Sequence, residues 1–153
     1  MFFKPKSKII ENLLAISAVI IFLNIFYSIK VYKDQVAKAD NARRLLDIQI
    51  ISQKVYGELI SSRSRIPDSI ETNLKVIGTS RDNCSIDCLG EKTDPKCLDL
   101  NQIYNFDRIN KMPFDPVSGN EKITFYAVKR NENNRLVIYA CKAQLNEKII
   151  IKR

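Results

Sequence analysis

Near its N-terminus the sequence has an apolar run that continues, without a helix-breaking residue, into an amphipathic segment. The run Ile9–Ile29 is IIENLLAISAVIIFLNIFYSI, about the 20 residues that a bilayer-spanning helix needs. No small-x-small cleavage site follows it, which favours an anchor over a cleaved signal peptide. Beyond Ile29 no Pro or Gly occurs until Gly57, so nothing in the sequence breaks a helix. We therefore predict one helix from about Ser7 to Ile60, with its first half in lipid.

The second half of this predicted helix carries an apolar stripe and paired charges. Apolar residues recur at intervals of three and four, at Leu45, Ile48, Ile51, Val55 and Leu59. Opposite charges stand four residues apart in the pairs Asp40–Arg44 and Arg43–Asp47. Such charge pairs are typical of an exposed helix face, whereas the stripe predicts packing against an apolar surface.

The C-terminal part of the sequence predicts that surface, a small antiparallel sheet. Segments Lys122–Lys129 and Arg135–Lys142 alternate and are rich in β-branched and aromatic residues. The five residues between them are a turn signal, and the final EKIIIKR predicts a third strand or edge. Residues 66–115 are loop-rich, with a short helix predicted at about Leu98–Ile109. The fold class is therefore α+β, a long transmembrane-plus-amphipathic helix packed on an antiparallel β-meander.

These elements divide the chain into five segments. They are a short basic leader (1–8), a transmembrane helix (9–29), its amphipathic continuation (30–61), a loop-rich region with the cysteines and a short helix (62–121), and the strands (122–153). Lys4, Lys6 and Lys8 favour a cytoplasmic N-terminus, although lysines also follow the apolar run. We expect a single-pass protein of the inner (cytoplasmic) membrane with its C-terminal domain outside the cytoplasm.

Glu11 and Asn24 are the polar residues of interest inside the apolar run. An acidic side chain at the bilayer centre costs about 2.5–3.5 kcal/mol on insertion scales. Two interpretations of Glu11 remain open: a position near the headgroups beside Lys8, or pairing with a cation supplied by another subunit. Asn24 either hydrogen-bonds to a neighbouring helix or lies near the outer interface.

Composition weighs against catalysis and against nucleic-acid binding. The 153 residues include no His and no Trp, and the formal net charge is +8. His is the commonest general base and transition-metal ligand, and the sequence offers no nucleophile–base pair. Its basic residues are spread along the chain instead of forming a stripe with interleaved aromatics. We predict that the protein is not an enzyme, has no small-molecule substrate and does not bind nucleic acid.

Four cysteines, Cys84, Cys88, Cys97 and Cys141, follow the predicted anchor. Two disulfides are the favoured interpretation in an exported domain, where they would brace a loop-rich region. Three connectivities are possible; we expect Cys141, on a predicted strand, to hold the loop between Cys84 and Cys97 onto the sheet. A four-thiolate zinc site lacks its usual close pairs. Free thiols also fit the sequence, whereas a catalytic Cys would have no His to activate it.

Acidic residues crowd the loop that contains the cysteines and begin a second turn. They are Asp82, Asp87, Glu91, Asp94, Asp99 and Asp115. Carboxylate oxygens suit Ca²⁺, but no EF-hand spacing is present. We favour solvated loop charge over a calcium site and expect no metal or cofactor. Asp115-Pro116 predicts a rigid turn into the strands.

The order of these features resembles that of type IV pilins and of type II secretion major pseudopilins. Glu11 stands at the head of an apolar helix, and Ala39–Ile60 (ADNARRLLDIQIISQKVYGELI) looks like the segment that leads a pilin helix out of the membrane. Ile66-Pro67 follows. Met112–Pro116 resembles the Pro-x-Asp-Pro turn of that family (Pro113, Asp115 and Pro116). Paired strands and Ala143–Leu145 complete the order, which covers nearly the whole chain.

The resemblance implies a structural role and a partner for Glu11. In the family the matching glutamate pairs with the N-terminal amine of the adjacent subunit during filament assembly. The corresponding prepilin-peptidase cut would fall between Lys6 and Ser7, where the family has Gly before the cut and usually Phe after it. The implied function is that of a filament subunit that assembles with itself or with other pilins or pseudopilins, anchored in the membrane beforehand and part of an extracellular filament afterwards.

A second function also fits the sequence. An unprocessed chain would remain a non-polymerising single-pass membrane protein with a disulfide-braced exported binding domain. The two functions differ in the mature N-terminus, which is Ser7 for the filament subunit and Met1 for the anchored binding protein.

Overall fold

A computed structural model describes residues 6–63, 65–104 and 111–153 of the chain, with the backbone alone at residues 6, 7 and 9. It contains two compact units, an N-terminal unit (Met1–Ala37) and a C-terminal unit (Lys38–Arg153). Helix α1 covers Lys6–Ser61, which confirms the helix predicted from about Ser7 to Ile60. Arg63 ends it in a left-handed conformation (φ 49°), with its N–H bonded to the carbonyl of Ile60 at 3.2 Å.

The main sheet has four strands in the order β1-β4-β5-β6, all antiparallel to their neighbours. The strands are β1 (Lys75–Val76), β4 (Tyr126–Arg130), β5 (Leu136–Ala140) and β6 (Ile150–Lys152). The predicted pair of strands and the third C-terminal strand are confirmed. Both paired strands are shorter than predicted, and β4 begins late because Phe125 has a left-handed backbone (φ 59°) that interrupts extended structure.

Two short elements lie in the loop-rich region. A hairpin of β2 (Asp87–Cys88) and β3 (Glu91–Lys92) turns through two residues of positive φ, Leu89 and Gly90. Helix α2 covers Leu100–Tyr104. The helix predicted at Leu98–Ile109 begins later than expected because Leu98 forms a parallel bridge with Ile77. Residues 105–109 of that prediction lie outside the described residues.

The core is built on both faces of the sheet. On one face, Ile48, Ile51, Val55 and Leu59 of α1 pack with Tyr126 and Val128 of β4 and with the apolar residues of β5. Ala127, between those two β4 residues, belongs to a second cluster with Cys84, Cys88 and Cys141. Because side chains alternate along a strand, the cysteines lie on the sheet face opposite α1.

One position of the predicted apolar stripe of α1 is wrong. Leu45 is 41% exposed, whereas Arg44 is fully buried beside Ile48, Ile51 and Val55. A helix turns through about 100° per residue, so a stripe of buried residues that continues back from Ile48 by four residues reaches Arg44 and not Leu45. The packed face of α1 therefore begins with two buried polar residues, Asn41 and Arg44.

Candidate anchoring and assembly site

The N-terminal unit exposes a dense apolar surface on α1. Its large apolar side chains from Ile10 to Ile29 are roughly half to two-thirds exposed. The most apolar window of the helix has a mean hydropathy of 2.1 and none of it is buried. By length and composition, α1 is the one helix of the described residues that is able to cross a membrane.

Glu11 is the single acidic residue in this surface before Asp34. Its side chain is exposed, with exposed Ile10, Leu13 and Leu14 on neighbouring positions of the helix. In the part of the chain that the structure describes, no ion pair or hydrogen bond joins Glu11 to Lys8 or to any other side chain. The carboxylate is therefore open to a partner outside the chain.

Three other polar side chains of this segment bond to their own helix. Ser17 Oγ donates to the carbonyl of Leu14 at 2.8 Å, and Asn24 Nδ2 donates to that of Ile20 at 2.8 Å. Ser28 Oγ does the same toward the carbonyl of Asn24. Such local bonds let hydroxyl and amide groups lie in an apolar helix without an outside partner. Glu11 differs from these three residues because it has no such bond among the described residues.

The C-terminal unit contains a buried ion pair between α1 and the loop before β4. Arg44 Nε donates to Asp115 Oδ2 at 2.6 Å, with side chains 1% and 0% exposed. Arg44 Nη1 also donates to Asn41 Oδ1 at 2.9 Å. The predicted pair Asp40–Arg44 is wrong, because Arg44 points inward to a carboxylate 71 positions later. The solvated role predicted for Asp115 is wrong as well.

Asp115 is held by a tight turn as well as by Arg44. Its carboxylate accepts hydrogen bonds from the backbone N–H groups of Val117 and Ser118 at 3.1 and 2.9 Å. A Cβ at Gly119 would overlap the backbone of Asp115, so the turn closes only with glycine there. The observed turn covers residues 116–118 directly after Asp115, and Pro113 lies before it. Burial alone would raise the pKa of Asp115, but the bonds from Arg44, Ser118 and Val117 together lower it.

A second acidic residue of α1, Asp47, forms a hydrogen bond with the sheet. Tyr126 of β4 donates its hydroxyl to Asp47 Oδ2 at 2.6 Å, and both residues are buried. Burial raises the pKa of Asp47, and the hydrogen bond from Tyr126 offsets this only in part. Burial followed by the neighbouring carboxylate raises the pKa of Tyr126. The predicted pair Arg43–Asp47 is therefore replaced by a bond from α1 to the sheet.

Asn41 ties the same end of this helix segment to the loop before β6. Its amide donates to the carbonyl of Gln144 at 2.9 Å and to Glu147 Oε2 at 3.0 Å. The N–H of Gln144 donates back to Asn41 Oδ1 at 2.9 Å. We call Asn41, Arg44, Asp47, Asp115 and Tyr126 the polar cluster. It fixes α1 against three segments that are distant in sequence.

All four cysteines form disulfides, Cys84–Cys97 and Cys88–Cys141. This confirms the two-disulfide prediction and selects one of the three connectivities. Cys88 lies inside the loop closed by Cys84 and Cys97, and its bond to Cys141 at the end of β5 holds that loop onto the sheet, as expected. Because every sulfur is bonded to another, none is a thiolate available to zinc.

The acidic residues of the cysteine loop cap turns and pair with lysine. Asp87, Asp94 and Asp99 each accept a hydrogen bond from a backbone N–H two or three positions later. Glu91 pairs with Lys129 at 2.6 Å. Within the described residues, no group of three or more His, Cys, Asp or Glu is placed to hold a metal ion.

Sequence reasoning found Glu11, the Asp115 turn and the cysteines. It missed the bonds of Arg44 to Asp115 and of Tyr126 to Asp47. It also missed Asn41, which bonds to Arg44 and to the loop before β6. Glu11 belongs to the N-terminal unit and the polar cluster to the C-terminal unit. The side chains of Lys6 and Ser7 lie outside the described ones. The missed signal was the spacing of Arg44 from Ile48 and Ile51, which places it on the packed face.

No family model matches this chain, and no curated protein or solved structure matches it at a significant level. Its function is therefore inferred from the residues and contacts described above.

Proposed function

We propose that this protein is a pilin- or pseudopilin-like structural subunit of a type IV pilus or type II secretion-type filament. Before assembly it is held in the inner membrane by α1, with the C-terminal unit outside the cytoplasm. The observation that carries the proposal is Glu11, an exposed carboxylate within the apolar surface of a helix long enough to span a bilayer. It has no ion pair with any side chain that the structure describes.

The energetics of that position favour a partner from another chain. A carboxylate in apolar surroundings is costly unless it is paired, and Glu11 has no pair among the described residues. An N-terminal amine of the next subunit, which the resemblance implies, is a cation of suitable size. Packing of the exposed residues Ile10–Ile29 among neighbouring helices would supply the assembly energy.

The C-terminal unit has the features of an exported, self-supporting domain. Its two disulfides are typical of an oxidising compartment. The polar cluster and the apolar face of α1 join helix, sheet and loops into one core. A subunit that must leave the membrane without unfolding needs a domain of this kind, and no bond-making step is assigned to it.

The test is Glu11→Ala, followed in native membranes and in the filament fraction. Membrane insertion should be unchanged because the substitution makes α1 more apolar, whereas incorporation into filaments should fall at least about tenfold, the effect of losing roughly 1.4 kcal/mol or more of pairing energy. Ser17→Ala is the matched control, since Ser17 bonds only to its own helix. Normal incorporation of Glu11→Ala would contradict the role of Glu11.

A non-polymerising anchored binding protein is the second candidate, and the residues Lys6 and Ser7 favour it because the family has Gly and usually Phe there. Mass spectrometry of the protein isolated from its own membranes separates the two functions. A new N-terminus at Ser7 supports the filament subunit. An intact Met1 supports the anchored protein instead.

A further inference from the structure

The main sheet ends in two edge strands, β1 and β6, which differ in what lies beyond them. Beyond β1 the chain itself supplies a partner. Leu98 donates its N–H to the carbonyl of Val76 at 2.8 Å and accepts a bond from Gly78 at 3.0 Å. Asp94 donates its N–H to the carbonyl of Leu74 at 2.8 Å. Beyond β6 the residues that the structure describes supply no further strand, so this edge of the sheet is open.

The backbone groups of β6 alternate between β5 and the open side. Arg153 donates its N–H to the carbonyl of Leu136 at 2.9 Å. Because bonded pairs recur at every second residue of an antiparallel ladder, the backbone groups of Ile151 also face β5. Those of Ile150 and Lys152 point away from the sheet, and no other segment among the described residues bonds to them. The N–H and C=O groups of these two residues are therefore available to a strand from outside.

The side chains at this edge alternate as well. Ile149 is in the core beneath α1, and Ile151 packs against that core. Side chains alternate along a strand, so Lys148, Ile150 and Lys152 lie on the other face of the sheet. Both lysines are exposed, and neither forms an ion pair with a described residue. We call the outward side of these three residues the open edge.

The sequence around the open edge is basic. From Arg135 to Arg153 it contains five basic residues and one acid, Glu147. That acid is engaged on the α1 side of the sheet, where it accepts a hydrogen bond from Asn41 at 3.0 Å. Lysines on an edge strand discourage pairing with a like-charged strand, whereas opposite charges directly across two strands stabilise their pairing. The open edge therefore selects for acidic strands.

We propose that the open edge binds an extended acidic segment of another protein, which joins the sheet as an antiparallel strand beyond β6. Ile150 exchanges two backbone hydrogen bonds with the residue opposite to it in that segment. Acidic residues two positions before and after this residue lie opposite Lys148 and Lys152. The segment that fits is an alternation of acid, apolar residue and acid. The inference goes beyond the proposed function and does not rest on it.

Other occupants fit the open edge less well. In an antiparallel pair of two β6 strands centred on Ile150, Lys148 of each copy would stand opposite Lys152 of the other. Like charges directly opposite each other destabilise a sheet, which disfavours a second copy. An anionic membrane or a nucleic acid would satisfy the lysines, but neither presents the row of alternating N–H and C=O groups that the backbone of this edge can pair with.

The experiment measures, by fluorescence anisotropy, the binding of labelled synthetic peptides to the full chain in detergent. The Glu peptide has the core Glu-Thr-Val-Thr-Glu, which places Val opposite Ile150 and the two acids opposite Lys148 and Lys152. The Lys peptide has Lys in place of each Glu. We expect the Glu peptide to bind at least about tenfold more tightly, because two favourable cross-strand charge pairs replace two unfavourable ones.

N-methylation of the Glu peptide separates strand addition from simple charge attraction. A methyl group on the Val nitrogen removes the hydrogen bond to the carbonyl of Ile150, whereas one on a Thr nitrogen lies at the far edge of the peptide. Methylation at Val should weaken binding at least about tenfold, and methylation at Thr should leave most of the affinity. Equal binding of the two methylated peptides would reduce the contact to charge attraction, as toward a membrane or a nucleic acid, and would overturn the inference.

Charge reversal in the protein tests the same contact from the other side. Lys148→Glu with Lys152→Glu should make the Lys peptide the tighter binder by at least about tenfold. Both side chains are exposed, so the fold should be kept, and circular dichroism checks this. Lys92→Glu with Lys96→Glu is the matched control. It changes the net charge equally at exposed residues elsewhere and should leave the preference for the Glu peptide as it is.

The remaining outcomes are decisive as well. An unchanged preference after the charge reversal would overturn the inference, and so would the failure of the native chain to bind the Glu peptide. A dimer of the native chain that the Glu peptide dissociates would identify a second copy as the occupant and would also overturn it. None of the residues changed belongs to the N-terminal unit, so each result is independent of the filament incorporation measured with Glu11→Ala.

Discussion

The two units of this protein use the same helix in opposite ways. Between Ile10 and Ile29 the apolar side chains of α1 are exposed, and Ser17, Asn24 and Ser28 bond to their own helix. Between Ile48 and Leu59 the apolar face is buried in a core. The polar residues at the start of that second segment bond to partners as far as 106 positions away. The apolar side chains of the first segment can therefore be buried only by partners outside the chain. Those of the second segment are buried by the C-terminal unit itself.

The largest expected effect comes from removing the first segment. Without residues 1–37 the C-terminal unit should move entirely from the membrane pellet to the soluble fraction, because the exposed apolar surface of Ile10–Ile29 is gone. Its melting temperature should stay within a few degrees of that of the full chain in detergent, since Asn41 is the first buried residue among those described. Centrifugation and circular dichroism measure both. An unfolded truncated chain would show that the C-terminal unit does not fold independently of the N-terminal unit.

Arg44→Ala should be the most damaging single substitution in the C-terminal unit. It leaves Asp115 buried without its cation, which costs about 3–5 kcal/mol of unfolding free energy. The pair replaced by apolar residues, Arg44→Met with Asp115→Leu, should recover part of that loss. Urea denaturation measures all three chains. Asp40→Ala is the control, and a loss there equal to that of Arg44→Ala would restore the surface pair predicted from the sequence.

The two disulfides should differ in strength. Removing Cys88–Cys141 through the double Ser variant should cost about 2–5 kcal/mol, because the bond closes the longer loop in the unfolded chain. Its sequence separation is 53 against 13 for Cys84–Cys97. On the loop-entropy account that difference makes Cys88–Cys141 the stronger by about 1 kcal/mol. Equal losses in thermal melts of the two double variants would contradict that account.

Lowering the pH should reduce the folding stability of the C-terminal unit through protonation of Asp115. Its pKa is lowered below the ordinary 3.8, so its stabilising effect is fully present above pH 3.8 and is lost as the pH falls through the folded value. Asp47 has the opposite sign: its pKa is raised, so the folded state takes up its proton first and acidification toward pH 3.8 favours folding. In unfolding curves across pH, Asp115→Asn should flatten the acid limb and Asp47→Asn should steepen it. The reverse order would refute both assignments.

The smallest effect is expected at a surface pair on the same helix. Lys54 and Glu58 are four residues apart and 2.9 Å from each other, but Glu58 is 42% exposed. Lys54→Ala should therefore lower the unfolding free energy by only about 0.3–0.5 kcal/mol. Added salt should reduce this difference further. If Lys54→Ala lowered the unfolding free energy as much as Arg44→Ala, burial would not explain the difference in strength between the two ion pairs.

The elements that the sequence predicted well are those with a local signal. Both ends of the helix are predicted within one residue because apolar periodicity, the absence of Pro and the absence of Gly before Gly57 are local signals. Alternation also predicts β4 and β5, but β4 begins at Tyr126 instead of Lys122, and β5 ends at Ala140 instead of Lys142. The left-handed backbone of Phe125 depends on the surrounding fold. Strands of two residues such as β1 and β2 exist only through their partners and leave no pattern in the sequence.

The contacts of the polar cluster could not be predicted from the sequence for a related reason. Asp40 lies four residues before Arg44, and the i,i+4 rule for charged residues on a helix predicts that the two form a pair. In the folded protein Arg44 is buried and pairs with Asp115 instead. Asp115 itself resembles a solvated loop acid until the helix is placed beside it. The disulfide partners were undetermined because four cysteines allow three connectivities. In each case the partner is chosen by contacts that form only after the chain has folded.

The interleaved disulfides have a consequence for a protein that is pulled. Cys88 is linked to Cys141, so tension between α1 and the C-terminus passes through that bond and bypasses the 53 positions between them. At roughly 3.4 Å per extended residue, about 180 Å of slack is withheld from the stretched chain. Under oxidising conditions the C-terminal unit would resist stretching as a short tether, and reduction would lengthen that tether by nearly the same distance.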